Sequence, residues 1–167
     1  MYSHGSRHGK STYTDPNGAI QHIREYAYGK FISYSYLGKD GTPVESIEIK
    51  NETCDCKSYF QNGNPSRVFS MTKENFEGEY LKYYENGQLY SKVTYKAGLK
   101  QGPSTLYYEN GKVKQEKSFL DNETQGLVTH YNEDGSIEKT EMYLQDILHG
   151  EVKHYTNGQL TKNRNFL

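Results

Sequence analysis

The feature that most constrains this chain is a short internal period. Gly18, Gly41, Gly63, Gly87, Gly111, Gly135 and Gly158 recur at steps of 22–24 residues, and each follows Asn or Asp. Tyr13, Tyr36, Tyr59, Tyr83, Tyr107, Tyr131 and Tyr155 keep step with them, as do Gly78, Gly102, Gly126 and Gly150. Two residues after each turn glycine stand Ile20, Pro43, Pro65, Leu89, Val113, Ile137 and Leu160. Eight after it stand Tyr26, Ile49, Met71, Tyr95, Phe119, Tyr143 and Phe166. Registers held together over seven copies make the chain a tandem array.

Each copy reads as a β-hairpin. Asn-Gly or Asp-Gly between alternating runs is a strong hairpin signal, and Gly or Pro interrupts most windows long enough for a helix. Offsets of two and eight share a parity, which places both apolar sets on one strand face. The tyrosine ladder also sets the loops. Tyr13 and Tyr36 precede their turn glycine by five residues, Tyr59, Tyr83, Tyr107 and Tyr131 by four, and Tyr155 by three. Loops of four, three and two residues then bring each tyrosine opposite an apolar partner: Tyr13–Ile20, Tyr36–Pro43, Tyr59–Pro65, Tyr83–Leu89, Tyr107–Val113, Tyr131–Ile137 and Tyr155–Leu160. The middle copies should carry a type I turn closed by a left-handed glycine, as at Glu85-Asn86-Gly87, and Asp15-Pro16-Asn17-Gly18 suits a type I turn as well.

One hairpin is only marginally stable in water, so the hairpins must lie side by side. The expected fold is all-β: an elongated, single-layer antiparallel meander of about seven tandem hairpins. It forms one repeat domain over 1–167, degenerate over 9–53 and regular over 54–167. A hydrophobic content of 33% is lean for a closed core, yet 17 Tyr and 6 Phe are too many for disorder. Tyrosine suits a half-exposed face because its ring is apolar and its hydroxyl stays wet.

The segment Gly78-Glu-Tyr-Leu-Lys-Tyr-Tyr-Glu-Asn-Gly-Gln-Leu89 resembles the MORN-repeat class in its bacterial variant. So do Tyr107-Tyr-Glu-Asn-Gly-Lys-Val113 and the His-Gly pair at 149–150. Proteins of this look are grouped as YwqK-like antitoxins. The resemblance covers 54–167 well and 9–53 in degenerate form. Cys54 stands where the register expects a glycine, and the chain has no Trp. The resemblance implies a binding role: neutralising a partner toxin or, alternatively, scaffolding or attachment at a membrane surface.

Composition excludes some partners. The net charge of −1, from 20 basic and 21 acidic residues, lacks the basic excess of nucleic-acid binders. There is no polybasic run for anionic lipid and no apolar run long enough to span a membrane as a helix. Residues 1–9 lack the apolar stretch of a secretory signal. Cys54 and Cys56, one residue apart, should face the same way on a strand but lie too far apart for easy bridging. That points to a reducing, cytoplasmic setting.

Catalytic chemistry finds little purchase. His4, His8 and His149 precede glycine and read as repeat punctuation. No set of metal ligands converges, Gly9-Lys10-Ser11 only imitates the end of a phosphate-binding loop, and no nucleophile has an evident base. The expectation is a non-catalytic protein-binding scaffold without cofactor or metal. It should bind no nucleic acid, bind membranes weakly or not at all, and self-associate through its terminal edge strands. The ladder tyrosines, Tyr13, Tyr36, Tyr59, Tyr83, Tyr107, Tyr131 and Tyr155, read as structural. Tyr34, Tyr80, Tyr84, Tyr90 and Tyr108 fall outside that register and form the candidate partner-binding face, because tyrosine is enriched at interfaces. Tyr84 and Tyr108 adjoin the ladder and so face its opposite side.

Overall fold

A computed structural model describes residues 2–3, 6–14, 18, 20–38, 40–50, 53–60 and 62–166. The turn expected at Asp15-Pro16-Asn17 and the punctuating His4 lie outside them. The described strands all pair antiparallel, in three sheets. β1 (Tyr2–Ser3) pairs with β2 (Ser6–Arg7). β3 (Gly9–Thr14), β4 (Ile20–Ala27), β5 (Lys30–Tyr36) and β6 (Ile47–Glu48) form a four-stranded sheet. A ten-stranded sheet follows in strict chain order: β7 (Thr53–Tyr59), β8 (Pro65–Thr72), β9 (Asn75–Tyr83), β10 (Leu89–Lys96), β11 (Leu99–Tyr107), β12 (Val113–Leu120), β13 (Glu123–Tyr131), β14 (Ile137–Leu144), β15 (Ile147–Thr156) and β16 (Gln159–Phe166).

The hairpin register of the larger sheet is the one the ladder predicts. Tyr59 faces Pro65, Tyr83 faces Leu89, Tyr107 faces Val113, Tyr131 faces Ile137 and Tyr155 faces Leu160. In the loop Glu85-Asn86-Gly87 the Tyr84 amide donates to the Gln88 carbonyl (2.8 Å) and the Gly87 amide to the Tyr84 carbonyl (3.0 Å). Gly87 closes it at φ +86°. The last loop has two residues, Asn157-Gly158, both at positive φ.

The first two copies differ. Tyr13 and Tyr36 both face His22, while Ile20 faces Thr14 and Pro43 bridges Leu37. The second loop is shorter than expected: the Gly38 amide reaches the Thr42 carbonyl (2.8 Å), leaving three residues between. The Asp40 carboxylate holds that loop by accepting the Thr42 amide (3.0 Å) and hydroxyl (2.7 Å). A loop one residue shorter slides the pairing by one.

A second correction concerns the faces. After Leu89 the register jumps: Ser91 pairs with Lys82, so Tyr90 is an extra residue. The same bulge follows Pro65, Val113, Ile137 and Leu160. An inserted residue inverts the parity of all that follows. The residue two after the glycine therefore shares the tyrosine-ladder face, whereas the aromatic eight after it lies on the opposite face. There Tyr95 stands across from Gly78, Phe119 from Gly102, Tyr143 from Gly126 and Phe166 from Gly150.

Both edges of the array are stitched from one repeat to the next. At the loop edge Asn86 caps its own turn, accepting the Gln88 amide at 2.9 Å, and donates its Nδ2 to the Glu109 carbonyl of the next loop at 3.2 Å. Asn62 donates likewise to the Glu85 carbonyl, at 2.7 Å. The other edge consists of two-residue turns with both residues at positive φ, such as Ala97-Gly98, Asp121-Asn122 and Gln145-Asp146. Their second amides donate back to the Phe76, Lys100 and Thr124 carbonyls at 2.9–3.0 Å.

The single layer holds only past β9. Arg24 on β4 lies 5.7 Å from the Phe69 ring on β8 and 5.9 Å from Phe76 on β9. In a flat sheet β4 and β8 would be about 19 Å apart, four strand spacings. The small sheet therefore folds back over the non-ladder face, burying Tyr26, Phe31 and Tyr34 against Cys54, Cys56, Phe69 and Met71. In that core Cys54 and Cys56 form a disulfide, with Cα atoms 5.8 Å apart. This span lies within ordinary disulfide reach. It corrects the expectation that the pair is too distant and removes the premise for a reducing setting.

Gly102, at φ +77° in a register irregularity of β11, has open space where a Cβ would stand. Its requirement is conformational, so Gly102→Ala is expected to cost about 1–2 kcal/mol. Gln145→Asn, which eases a left-handed turn position, should raise stability. Urea midpoints measure both, and an unchanged midpoint for Gly102→Ala contradicts the conformational account.

Candidate functional site

The five tyrosines outside the ladder do not make one surface. Tyr34 is only 4% exposed and donates its hydroxyl to the Asp55 carbonyl at 2.8 Å. It belongs to the core, which corrects its assignment to an exposed face. Tyr80 stacks on Phe69 (5.0 Å, 6°) and meets Phe76 edge-on at 5.0 Å. Tyr84 and Tyr108 donate to the carbonyls of Tyr107 and Tyr131, each at 2.7 Å. Those bonds are further repeat-to-repeat stitches. Burial pushes all four hydroxyl pKa values up. Tyr90, on the bulge, is 38% exposed and rests edge-on against Tyr84.

The ladder tyrosines are half-buried throughout. Tyr131 donates to the Glu116 carboxylate at 2.7 Å, and that bond raises its pKa. Tyr36 lies 5.3 Å from Tyr59, and Tyr13 stacks on His22 (4.4 Å, 10°). Beyond the tyrosines, this face exposes Leu127 opposite Met142 and Leu144 opposite Ile147.

Sequence reasoning missed the charged groups at the sheet junction. His22 is 3% exposed with neither ring nitrogen hydrogen-bonded. Burial, then the charges of Arg24 and Arg67, lower its pKa to about 3. Arg24 is 9% exposed and its Nε has no hydrogen-bond partner. Its guanidinium carbon lies 4.6 Å from the Tyr13 ring and 5.6 Å from Phe31. The period hid them because no later copy repeats His22, and Arg24 recurs only as Arg164 in the last copy.

A row of side chains runs straight across the larger sheet on the non-ladder face. Ladder pairs link Arg67 to Lys82, Lys82 to Ser91, Ser91 to Leu106, Leu106 to Gln115, and Gln115 to His130. From there the row continues through Lys139, His154 and Lys162. Glu141 binds both His130 (2.8 Å) and Lys139 (2.9 Å). Burial would raise the Glu141 pKa, but these partners outweigh it and hold the carboxyl below its ordinary value. Lys100 and Lys117 sit 4.9 and 4.6 Å from the Phe119 ring.

The hydroxyl–carboxylate pairs Ser70–Asp55 and Ser136–Asp134 are exposed, each bonded at 2.6 Å. Glu25 accepts the Ser33 hydroxyl at 3.1 Å beside a recess of about 270 Å³, with no imidazole among the recess residues. Gly9-Lys10-Ser11 lies within β3 and forms no cradle. Among the described residues no three His, Cys, Asp or Glu side chains are grouped to hold a metal ion.

The family model described as MORN repeat variant matches residues 76–97 and 100–121. Each window is one hairpin, β9–β10 or β11–β12, so the family's unit coincides with the structural repeat. No curated protein matches the chain.

Tyr108→Phe and Tyr84→Phe should each cost about 1 kcal/mol, the worth of one hydrogen bond, while Tyr90→Phe should cost almost nothing. Equal urea midpoints for all three contradict the stitching role. His22 stays neutral in the fold down to about pH 3 but takes a proton near 6.5 when unfolded. Protons thus favour the unfolded chain below 6.5. Stability should fall as pH drops from about 6.5 to 3, by up to roughly 1.4 kcal/mol per unit. His22→Phe should flatten that slope, and an unchanged slope rejects the assignment.

Proposed function

We infer that this chain is a non-catalytic protein-binding repeat scaffold. The match to a MORN repeat variant supports a repeat binding module. One observation carries the reading furthest. The non-ladder face of the ten-stranded sheet is covered at β7 and β8 by the chain's own small sheet and continues past β9 without such cover. The face already holds a protein layer at one end, through Phe69 and Met71, and offers half-buried Tyr95, Val93 and Leu106 further along. Sheet faces that present aromatic and apolar groups in a polar surround suit protein partners.

The finer reading is an antitoxin of the YwqK-like type that neutralises a partner toxin. It rests on the resemblance of Gly78–Leu89 to that variant's repeat. The immobilised chain, incubated with lysate of its native host, should retain a defined partner identifiable by mass spectrometry. Recovery of none across growth conditions counts against the scaffold. Co-expression with a toxin-like neighbour of the gene should restore growth if the antitoxin reading holds, and unrelieved toxicity rejects it.

A further inference from the structure

The charges of the larger sheet are sorted by face. On the non-ladder face the row just traced carries Arg67, Lys82, Lys139 and Lys162. Lys100, Lys117 and Arg164 share that face through their pairings with Tyr95, Ser104 and Val152. Glu141 is the one carboxylate set against these seven cations among the described strand positions, leaving aside the bulge residues Lys114 and Glu138, which offset each other. The ladder face carries Glu77, Glu79, Glu116, Glu123 and Glu151, with lysines such as Lys92 and Lys153 paired to Glu79 and Glu151. A net charge near zero thus hides two faces of opposite sign.

Lys139 is paired to Glu141, but two other cations of this face lack such a partner. Burial, then Arg67 and Lys100, lower the Lys82 pKa. Burial and Lys100 lower that of Lys117, against an opposing pull from Asp146 on the β14–β15 turn. Lys82 and Lys117 have no ion pair among the described residues.

Resting on the scaffold reading, we propose that the partner segment is an acidic, extended stretch of polypeptide lying across β9 to β16 on the non-ladder face, from the exposed Lys82 onward. Seven strand spacings make this track about 34 Å long, which an extended segment of roughly ten residues spans. Its carboxylates meet Lys82, Lys117 and Lys162, and its apolar side chains meet Val93 and Leu106. A polypeptide suits the track better than a nucleic acid or an anionic membrane. Glu141, on β14, stands within the track and repels a uniform polyanion, whereas a polypeptide can place a neutral or basic side chain there. The rings of Tyr80 and Tyr95 are packed against Phe76 and are not free to stack on bases.

The test uses fluorescence anisotropy of a labelled ten-residue peptide, in which glutamates are interspersed with valines and one lysine, with the full chain at low ionic strength. Binding is expected, with affinity falling about ten-fold in the triple variant Lys82→Gln, Lys117→Gln, Lys162→Gln. Removing like charges should not unfold the chain, and circular dichroism checks this. A ladder-face control, Lys92→Gln with Lys153→Gln, should leave affinity within about two-fold. Absence of peptide binding overturns the proposal, as does equal loss in the control. Tighter binding of an oligothymidylate or of phosphatidylserine vesicles overturns it in favour of that class. If a host partner is captured and survives the triple substitution, the scaffold stands and this face falls. If the peptide binds face-selectively but no host partner is captured, the scaffold reading fails alone.

Discussion

The architecture depends on one extra residue per repeat. Without the bulge after each turn, the residues two and eight after the glycine would share a face, and the opposite face would keep only the apolar groups of the strands before the turns, such as Tyr80, Leu106 and Val128. With it, Leu89 stays beside Tyr83 while Tyr95 moves to the other side, across from Gly78. The sheet becomes amphipathic on both sides, with one set of rings on each. This division explains how a chain with so few aliphatic residues supports a ten-stranded sheet. Each face needs only a thin apolar row, and the stitches from Asn62, Asn86, Tyr84 and Tyr108 bind neighbouring repeats without a thick core. Such an array is governed by nearest-neighbour terms, and here many of those terms are hydrogen bonds to carbonyls one repeat away.

What could be read from the residues was whatever repeats. The turn glycines and the tyrosine spacing gave the hairpins, the three-residue loop at Glu85-Asn86-Gly87 and five of the cross-strand pairs. The bulge was not legible, because a residue excluded from the ladder leaves no mark in spacing: Tyr90, Lys114 and Glu138 occupy the same place and share no chemistry. Turns such as Lys73-Glu74 and Gln145-Asp146 also escaped notice. They adopt left-handed backbone without a glycine, held by the neighbouring hairpin rather than by their own preference. The candidate face was legible only in part. Parity put Tyr84 and Tyr108 opposite the ladder, but it could not show their hydroxyls committed to backbone carbonyls, nor Tyr34 buried under a second layer.

The fold-back of the small sheet was hidden for a related reason. Its determinants belong to the first copies rather than to the whole period: His22, Arg24, and the Cys54–Cys56 pair, whose first member replaces a glycine. Cys54 stands opposite Met71 where later copies set a glycine opposite an aromatic ring. The array is thus altered at the point where a second layer must be received. Half-exposed Tyr and Phe rings give way there to a compact, fully covered core.

Arg24 shows how that junction tolerates a buried cation. Removing a guanidinium from water is costly unless something replaces its hydration. Among the described residues no carboxylate does so. Four aromatic rings, those of Tyr13, Phe31, Phe69 and Phe76, instead lie within 4.6–5.9 Å of it. Ring faces attract a cation, and arginine is weakly hydrated compared with lysine, so this position suits arginine better than any other cationic residue. The same positive charge helps keep His22 neutral, which lets the imidazole stack on Tyr13 as a ring without a charge of its own. The junction is therefore electropositive and closed by aromatics. The cationic row that begins beside it at Arg67 and crosses the open sheet to Lys162 continues that electropositive character beyond the small sheet's reach.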